Sequence, residues 1–482
     1  LYVLAALILI AVVLTTALAR RLSLPLILIA LGVGIVFGSD VTGLIWFDDA
    51  HLANELASAA LIFILFAGGF ETRRESLRLA LVPSMALATV GVVVTAGVTG
   101  LLLWALLGFS PLSALMVGAI VSCTDAAAVF SIFRSRSISP KVAATTEIES
   151  AANDPMAIIA TTLLVALVAE GGHEGAWWTI GLDFLWKLSG GALLGLGVGW
   201  MATKLFRLIH RADRGYFYVL LVGIVLLSYG LAELVHASGM LAAFFAGVVL
   251  GNAKIPFRKG LETFLEALST IANVGLFVLL GLLVFPKEFS GIWVQGVVLF
   301  LILTFVARPA AVWLSTLFSG FGWKDKVFLS WAGVRGAVPI VLATYPLAAG
   351  IEGGREIFNL VFFAVGLSVL FQGTTVGKLA DLLGLSLPSR PKPRQAMELV
   401  TFHESDQELC EVSVDGKGPP VQVSELGLPP GVTITMVNRQ EQIIAPRGST
   451  EITGGDVLYV LLKDSDREAV EALLAQRFSG SS

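Results

Sequence analysis

Thirteen apolar runs, parted by short charged or turn-rich breaks, fill residues 1–387 of this 482-residue chain. They fall near 1–19, 23–38, 56–70, 80–107, 111–133, 140–169, 180–206, 216–236, 238–251, 262–285, 289–318, 326–348 and 356–379. About 20 apolar residues suffice to cross a bilayer as a helix at 1.5 Å per residue. Composition agrees: the chain is 56% hydrophobic and 14% charged, where a soluble domain carries roughly 25% charge. The fold class is therefore an all-α polytopic membrane protein with about thirteen transmembrane helices, solvated mostly by lipid. The net charge of −4 says nothing about partners, because the charges are segregated along the chain. Nothing points to nucleic acid. Cys123 and Cys410 fall in membrane and cytosolic segments, so no disulfide framework is expected.

Charge sets an orientation. The connections after odd-numbered runs hold seventeen Lys and Arg, among them Arg73, Arg74, Arg207, Arg258 and Lys326, against three in the opposite connections. By the positive-inside rule the N-terminus is outside and the C-terminus cytoplasmic. Runs 1–6 and 8–13, joined by run 7, would form two six-helix units of inverted topology, an arrangement that places transport sites at mid-membrane on interrupted helices. The fifth and twelfth runs are the expected interrupted pair. One reads Ser122-Cys123-Thr124-Asp125-Ala126, the other Gly333-Val334-Arg335-Gly336-Ala337, each with one charge among small residues.

The sixth run holds the densest polar constellation, Glu149-Ser150-Ala151-Ala152-Asn153-Asp154-Pro155. An ionised side chain at bilayer depth costs on the order of 2.5–3.5 kcal/mol, so such groups mark pathways or compensated pairs. Ser150 and Asp154, four apart, share a helix face, and Pro155 deprives the Ala151 carbonyl of its helical partner. A carboxylate, a hydroxyl and a freed carbonyl are hard oxygen ligands that suit an alkali cation. The same carboxylate can carry a proton instead, and a site that holds one or the other is the minimal chemistry of exchange. The competing reading makes Asp154 a helix cap or a partner of Arg335. Glu149 reads as an ion-pair member, with Arg335 or Arg308. Asp125 divides between the pathway and neutralising a half-helix N-terminus. Glu147 is a mouth residue or a solvated one; Arg308, before Pro309, reads as structural; Glu233 and His236 are secondary candidates. The histidines show no metal spacing. Gly195, Gly197 and Gly199 in the seventh run read as close helix packing.

A proline/basic linker, 388–400, precedes a soluble α/β unit at 401–476; residues 477–482 read as a tail or cloning scar, with both chain ends trimmed. Strands are expected at 408–414, 432–437, 442–445 and 457–462, and a closing helix at 464–476. A core this small favours pairing with a second copy.

Four motifs together carry a resemblance to bacterial cation:proton antiporters of the NhaP branch: Thr124-Asp125-Ala126-Ala127-Ala128-Val129-Phe130, Glu147 through Met156, Ser238-Gly239-Met240 through Gly251-Asn252, and Gly333 through Ala337. The resemblance implies that Asp154 is the shared site for H⁺ and for transported K⁺ or Na⁺, completed by Ser150 and the backbone at Thr124. It implies a Glu149–Arg335 ion pair. With Asn153 before Asp154, it implies one cation per proton and no net charge movement. One departure stands out: relatives place an acid before Gly-Gly in the third helix, whereas this chain reads Phe66-Ala67-Gly68-Gly69, with Glu71 the nearest acid. The tail resembles the C-terminal lobe of RCK/TrkA-type regulators through Arg439, Pro446-Arg447-Gly448-Ser449-Thr450 and Gly454-Gly455-Asp456-Val457-Leu458. That likeness implies a regulatory ligand, such as a nucleotide, between paired lobes, and tilts the substrate toward K⁺. The expected function is an electroneutral cation/proton antiporter working by alternating access as a homodimer in the bacterial inner membrane. It is not an enzyme and needs no catalytic cofactor. The alternatives are a ligand-gated cation channel and a membrane sensor.

Overall fold

Helix ends fall where capping chemistry puts them. The Asp49 carboxylate accepts the Leu52 N–H at 2.9 Å, and Ser110 accepts from Ser113 at 3.2 Å with Pro111 in the first turn. The computed structural model describes residues 2–19, 26–125, 137–169, 177–209, 213–387, 407–414, 419–439, 442–463 and 466–478. The linker at 388–400, residues 479–482 and residues 126–133 of the fifth run lie outside them. The chain divides into two compact units, Leu1–Pro388 and Ser389–Ser482.

In the first unit the helices are α1 (Tyr2–Ala19), α2 (Leu26–Phe37), α3 (Ala50–Glu71), α4 (Arg74–Leu107), α5 (Pro111–Ile120), α6 (Pro140–Ala169) and α7 (Trp177–Leu208). They continue with α8 (Arg214–Leu234), α9 (Gly239–Gly251), α10 (Arg258–Leu282), α11 (Trp293–Ser315), α12 (Trp323–Ala332), α13 (Ala337–Ala348) and α14 (Gly354–Leu383). Among the described residues seven helices are long and apolar enough to cross a membrane, and the α12–α13 pair, bent by 49°, makes an eighth. Helices α2, α5 and α9 are apolar but only 12, 10 and 13 residues long. Two π-helical turns, Leu87–Gly91 in α4 and Leu303–Ala307 in α11, have no signature in the sequence.

The helices sort into two bundles. Helices α1–α3 pack with α7–α10, and α4–α6 pack with α11–α14, so each bundle draws on both halves of the chain. Between them, α13 leans on α3. The glycine run of α7 works as close packing in part. A Cβ at Gly195 would fall 2.4 Å from the Ala242 carbonyl oxygen and one at Gly199 2.8 Å from Val249 Cβ, whereas Gly197 meets nothing within 4 Å.

The second unit holds a four-stranded antiparallel sheet among the described residues, in which β1 (Gln407–Ser413), β3 (Thr433–Arg439), β4 (Gln442–Ile444) and β6 (Val457–Lys463) lie in the order β1-β6-β3-β4. Two-residue strands β2 (Val421–Gln422) and β5 (Glu451–Ile452) pair beside it, and α15 (Arg467–Phe478) buries Val470, Leu474 and Phe478 in its core. Arg439 and the Gly-Gly-Asp segment, far apart in sequence, meet here. Arg439 donates to both Asp456 oxygens, at 2.8 and 2.7 Å, and the Thr453 N–H donates to one of them at 2.8 Å. Burial alone would push the Asp456 carboxyl up. The hydrogen bonds from Arg439 and Thr453 and the guanidinium charge outweigh it and hold the group below its ordinary range. A depressed carboxyl contributes stability that is fully present above its unfolded pKa of about 3.9 and is lost as pH falls through its lower folded value. Asp456→Asn should therefore make the tail of the full-length chain more protease-sensitive at pH 7, with the difference from wild type shrinking at about pH 2. A pH-independent difference would contradict this account.

Candidate cation and proton site

Two unwound segments meet in the second bundle. After α5 ends at Ile120 the chain leaves helical geometry, and between α12 and α13 it does so again at Gly333–Gly336. The Asp125 N–H donates to the Val334 carbonyl at 2.8 Å. The Asp125 side chain lies over Gly336, where a Cβ would fall 1.7 Å from its Oδ2, so the crossing admits only glycine.

Helix α6 is pinned to the first segment. Ser150 Oγ donates to the Thr124 carbonyl at 2.6 Å, and Asn153 Nδ2 donates to Thr124 Oγ1 at 2.8 Å. The Thr124 N–H in turn donates to Asn153 Oδ1 at 3.4 Å. Ser150, Asn153 and Thr124 are all buried. Asp154 follows on the same helix, which runs unbroken through Pro155, so Asp154 caps no helix end. Its Oδ1 is buried and, among the described residues, has no hydrogen-bond partner. Asp125 and Asp154 lie within electrostatic reach of each other. The structure thus brings together Asp154, Ser150, Asn153, Thr124 and Asp125. No cluster of three His, Cys, Asp or Glu able to hold a metal ion occurs among the described residues.

The ion pair differs from the expected one. Glu149, 1% exposed, accepts from both terminal guanidinium nitrogens of Arg308, Nη1 on Oε1 and Nη2 on Oε2 at 3.0 Å. Arg335 instead donates through Nη1 to the carbonyls of Ser122 and Cys123, at 3.2 and 2.9 Å. The reason is electrostatic and geometric. Carbonyls freed where α5 ends carry the negative end of the helix dipole and attract Arg335. The π-helical turn just before Arg308 widens the helix and shifts its phase, which a 100° reading cannot anticipate. Arg308 Nη2 also holds the Leu329 carbonyl at 3.2 Å, so the arginine read as structural braces α6, α11 and α12 together.

Ala67 is buried in α3, and Glu71 lies exposed at that helix's end, where it and Arg73 act electrostatically on Glu147. Glu233 accepts the Gly239 N–H at 3.1 Å at the start of α9.

Carboxylates gathered where two unwound segments cross, one with a buried oxygen that has no partner among the described residues, within a bundle of apolar spans, have the make-up of an ion-coupled membrane transporter. The model of the transmembrane sodium/hydrogen exchanger family matches residues 7–381, and the TrkA-C domain model matches 421–475. The chain is 38% identical over 469 residues to the K(+)/H(+) antiporter NhaP2 of Shewanella oneidensis, covering 96% of this chain and 81% of that one. It is 35% identical over 475 residues to the K(+)/H(+) antiporter NhaP of Alkalimonas amylolytica, covering 97% and 82%. Among solved structures, the sodium proton antiporter MjNhaP1 of Methanocaldococcus jannaschii superposes with a TM-score of 0.69 at 26% identity, covering 79% of this chain and 97% of that one. The chain belongs to the sodium/hydrogen exchanger family. It is a cation/proton antiporter, a transporter and not an enzyme, that carries a TrkA-C domain.

Proposed function

We propose that the protein exchanges K⁺, with Na⁺ as a second substrate, for H⁺ by alternating access, at one electroneutral site centred on Asp154. The observation that carries this reading is the buried Asp154 Oδ1 without a partner among the described residues. A charged oxygen so placed is costly unless a proton or a cation completes it, and the two cannot do so together. Ser150 and Thr124 supply the neighbouring oxygens; Asp125 adds negative potential that favours cation entry. The Asn153 amide is spent on Thr124, so position 153 brings no second titrating charge, which supports one cation per proton. Glu71 and Glu147 would gather cations at the cytoplasmic mouth. Glu149 and Arg308 hold the frame.

The names of the two relatives favour potassium, and the TrkA-C domain supports control by a small ligand, a nucleotide being the candidate class, at paired tail domains of a homodimer. The protein would sit in the bacterial inner membrane with its N-terminus outside and its tail in the cytoplasm. In proteoliposomes a K⁺ gradient should drive intravesicular pH change at a rate unaltered by clamping the membrane potential at zero or at −100 mV. Potential-dependent rates would refute electroneutrality, and cation currents without counterflow of protons would favour a channel.

A further inference from the structure

At the end of the membrane unit that carries Asp48, Glu288 and Glu356, opposite the arginine- and lysine-rich connections, polar side chains cross from one bundle to the other. Arg355, at the start of α14, pairs with Asp48, which precedes α3, and lies 3.7 Å from Glu288. Its guanidinium stacks 5.0 Å above the Phe285 ring. One turn later Asn359 donates to Glu288 at 2.6 Å. Along the same seam Thr344 and Asn54 hydrogen-bond at 3.2 Å, and Tyr345 and Ser58 at 3.4 Å. Asn54 and Ser58 lie on α3, Thr344 and Tyr345 on α13, the helix that leans on α3 across the bundle boundary. Glu233 and Tyr229 of α8 stand within electrostatic reach of Tyr345, so α13 is met by polar groups from two helices of the opposite bundle.

We infer that Asp48–Arg355, Asn54–Thr344 and Ser58–Tyr345 form a latch that holds the two bundles shut at this end and must release once in every transport cycle. The inference rests on the alternating-access reading above. Its chemistry suits a reversible closure. The Arg355 and Asp48 side chains are 35% and 37% exposed, and exposed pairs of this kind are individually weak. The neutral hydrogen bonds deeper in the seam exchange readily for water. Thr344, fully buried while the seam is closed, becomes reachable only when α13 parts from α3.

The test reads opening, not exchange, so it stands apart from the role of Asp154. Thr344→Cys in the full-length protein, in oriented proteoliposomes, is labelled with a membrane-impermeant maleimide added to the outer face; the parent chain, whose Cys123 and Cys410 are buried, sets the background. Adding Asp48→Ala or Arg355→Ala should speed labelling roughly fivefold, the factor one exposed pair corresponds to. Arg355→Lys, which keeps a positive charge toward both Asp48 and Glu288, should stay nearer the parent rate than Arg355→Ala does. Unchanged labelling in both alanine variants, or equal acceleration in Arg355→Lys and Arg355→Ala, overturns the latch. If Thr344→Cys does not fold, Asn54→Cys reports the same opening from the other side of the seam. Loss of labelling response overturns the latch alone; potential-dependent exchange overturns the electroneutral reading alone.

Discussion

Asp154→Asn should abolish cation-driven proton movement in proteoliposomes, down to the protein-free baseline, while leaving the protein folded. The two halves of that expectation have different origins. Asparagine keeps the shape but can neither ionise nor release a proton, so both states of the exchange cycle disappear together. Folding should survive because the Asp154 Oδ1 surrenders no hydrogen bond among the described residues. Replacing its neighbours should separate from this pattern. Ser150→Ala removes the donor to the Thr124 carbonyl and leaves the carboxylate, so it weakens cation affinity without erasing exchange. The measurement is pH change under an imposed K⁺ or Na⁺ gradient, with elution profile and thermal midpoint as folding controls. Exchange that survives in a well-folded Asp154→Asn protein would remove Asp154 from the centre of the mechanism.

Where the candidate residues lie along their helices is largely legible in the sequence, because depth is what a membrane sequence records best. A charge in the middle of an apolar run sits near mid-membrane whatever the helix does around its axis, and that singles out Glu149, Asp154, Asp125 and Arg335 as candidates. The strands and closing helix of the tail are legible for a related reason: the strands alternate or run apolar. The pairing of Arg439 with Asp456 is not, because nothing in the sequence says which strand ends the fold brings together. Azimuth is the part that a run of apolar residues does not carry. Arg308 and Arg335 were both available at mid-depth to Glu149, and only the packed helices decide between them. The two π-helical turns add to the difficulty, since each shifts phase without a residue signature. The thirteen runs likewise give apolar stretches and not helix lengths. The second and ninth gave helices of only 12 and 13 residues, and the described part of the fifth is helical for 10 residues before it unwinds after Ile120. The ties between α3 and α13 were invisible for a simpler reason. Asn54, Ser58, Thr344 and Tyr345 are uncharged, and singly they look like ordinary membrane-helix polarity.

The second large effect falls on the Glu149–Arg308 pair. Both side chains are nearly inaccessible, at 1% and 4%, and they are joined by two parallel hydrogen bonds. Breaking such a pair from one side strands a full charge in a medium that cannot solvate it, at a cost of about 3–5 kcal/mol. Glu149→Gln would leave the guanidinium with the Leu329 carbonyl, while Arg308→Gln would leave a buried carboxylate. Each should lower the thermal midpoint sharply and take exchange with it, since Arg308 also packs against Gly333, where a Cβ would fall 2.3 Å from its Nε. The unwound α12–α13 crossing therefore loses its brace whenever Arg308 moves. The two changes combined should cost much less than their sum, and exchanging the residues, Glu149→Arg with Arg308→Glu, should cost less than either single removal. A double-mutant cycle separates this partner from the one the family resemblance implied. Glu149 and Arg308 should couple strongly, and Glu149 and Arg335, which act on each other through space, clearly less. Strong coupling to Arg335 with additivity at Arg308 would reverse the assignment and return Arg335 to the role of counter-ion.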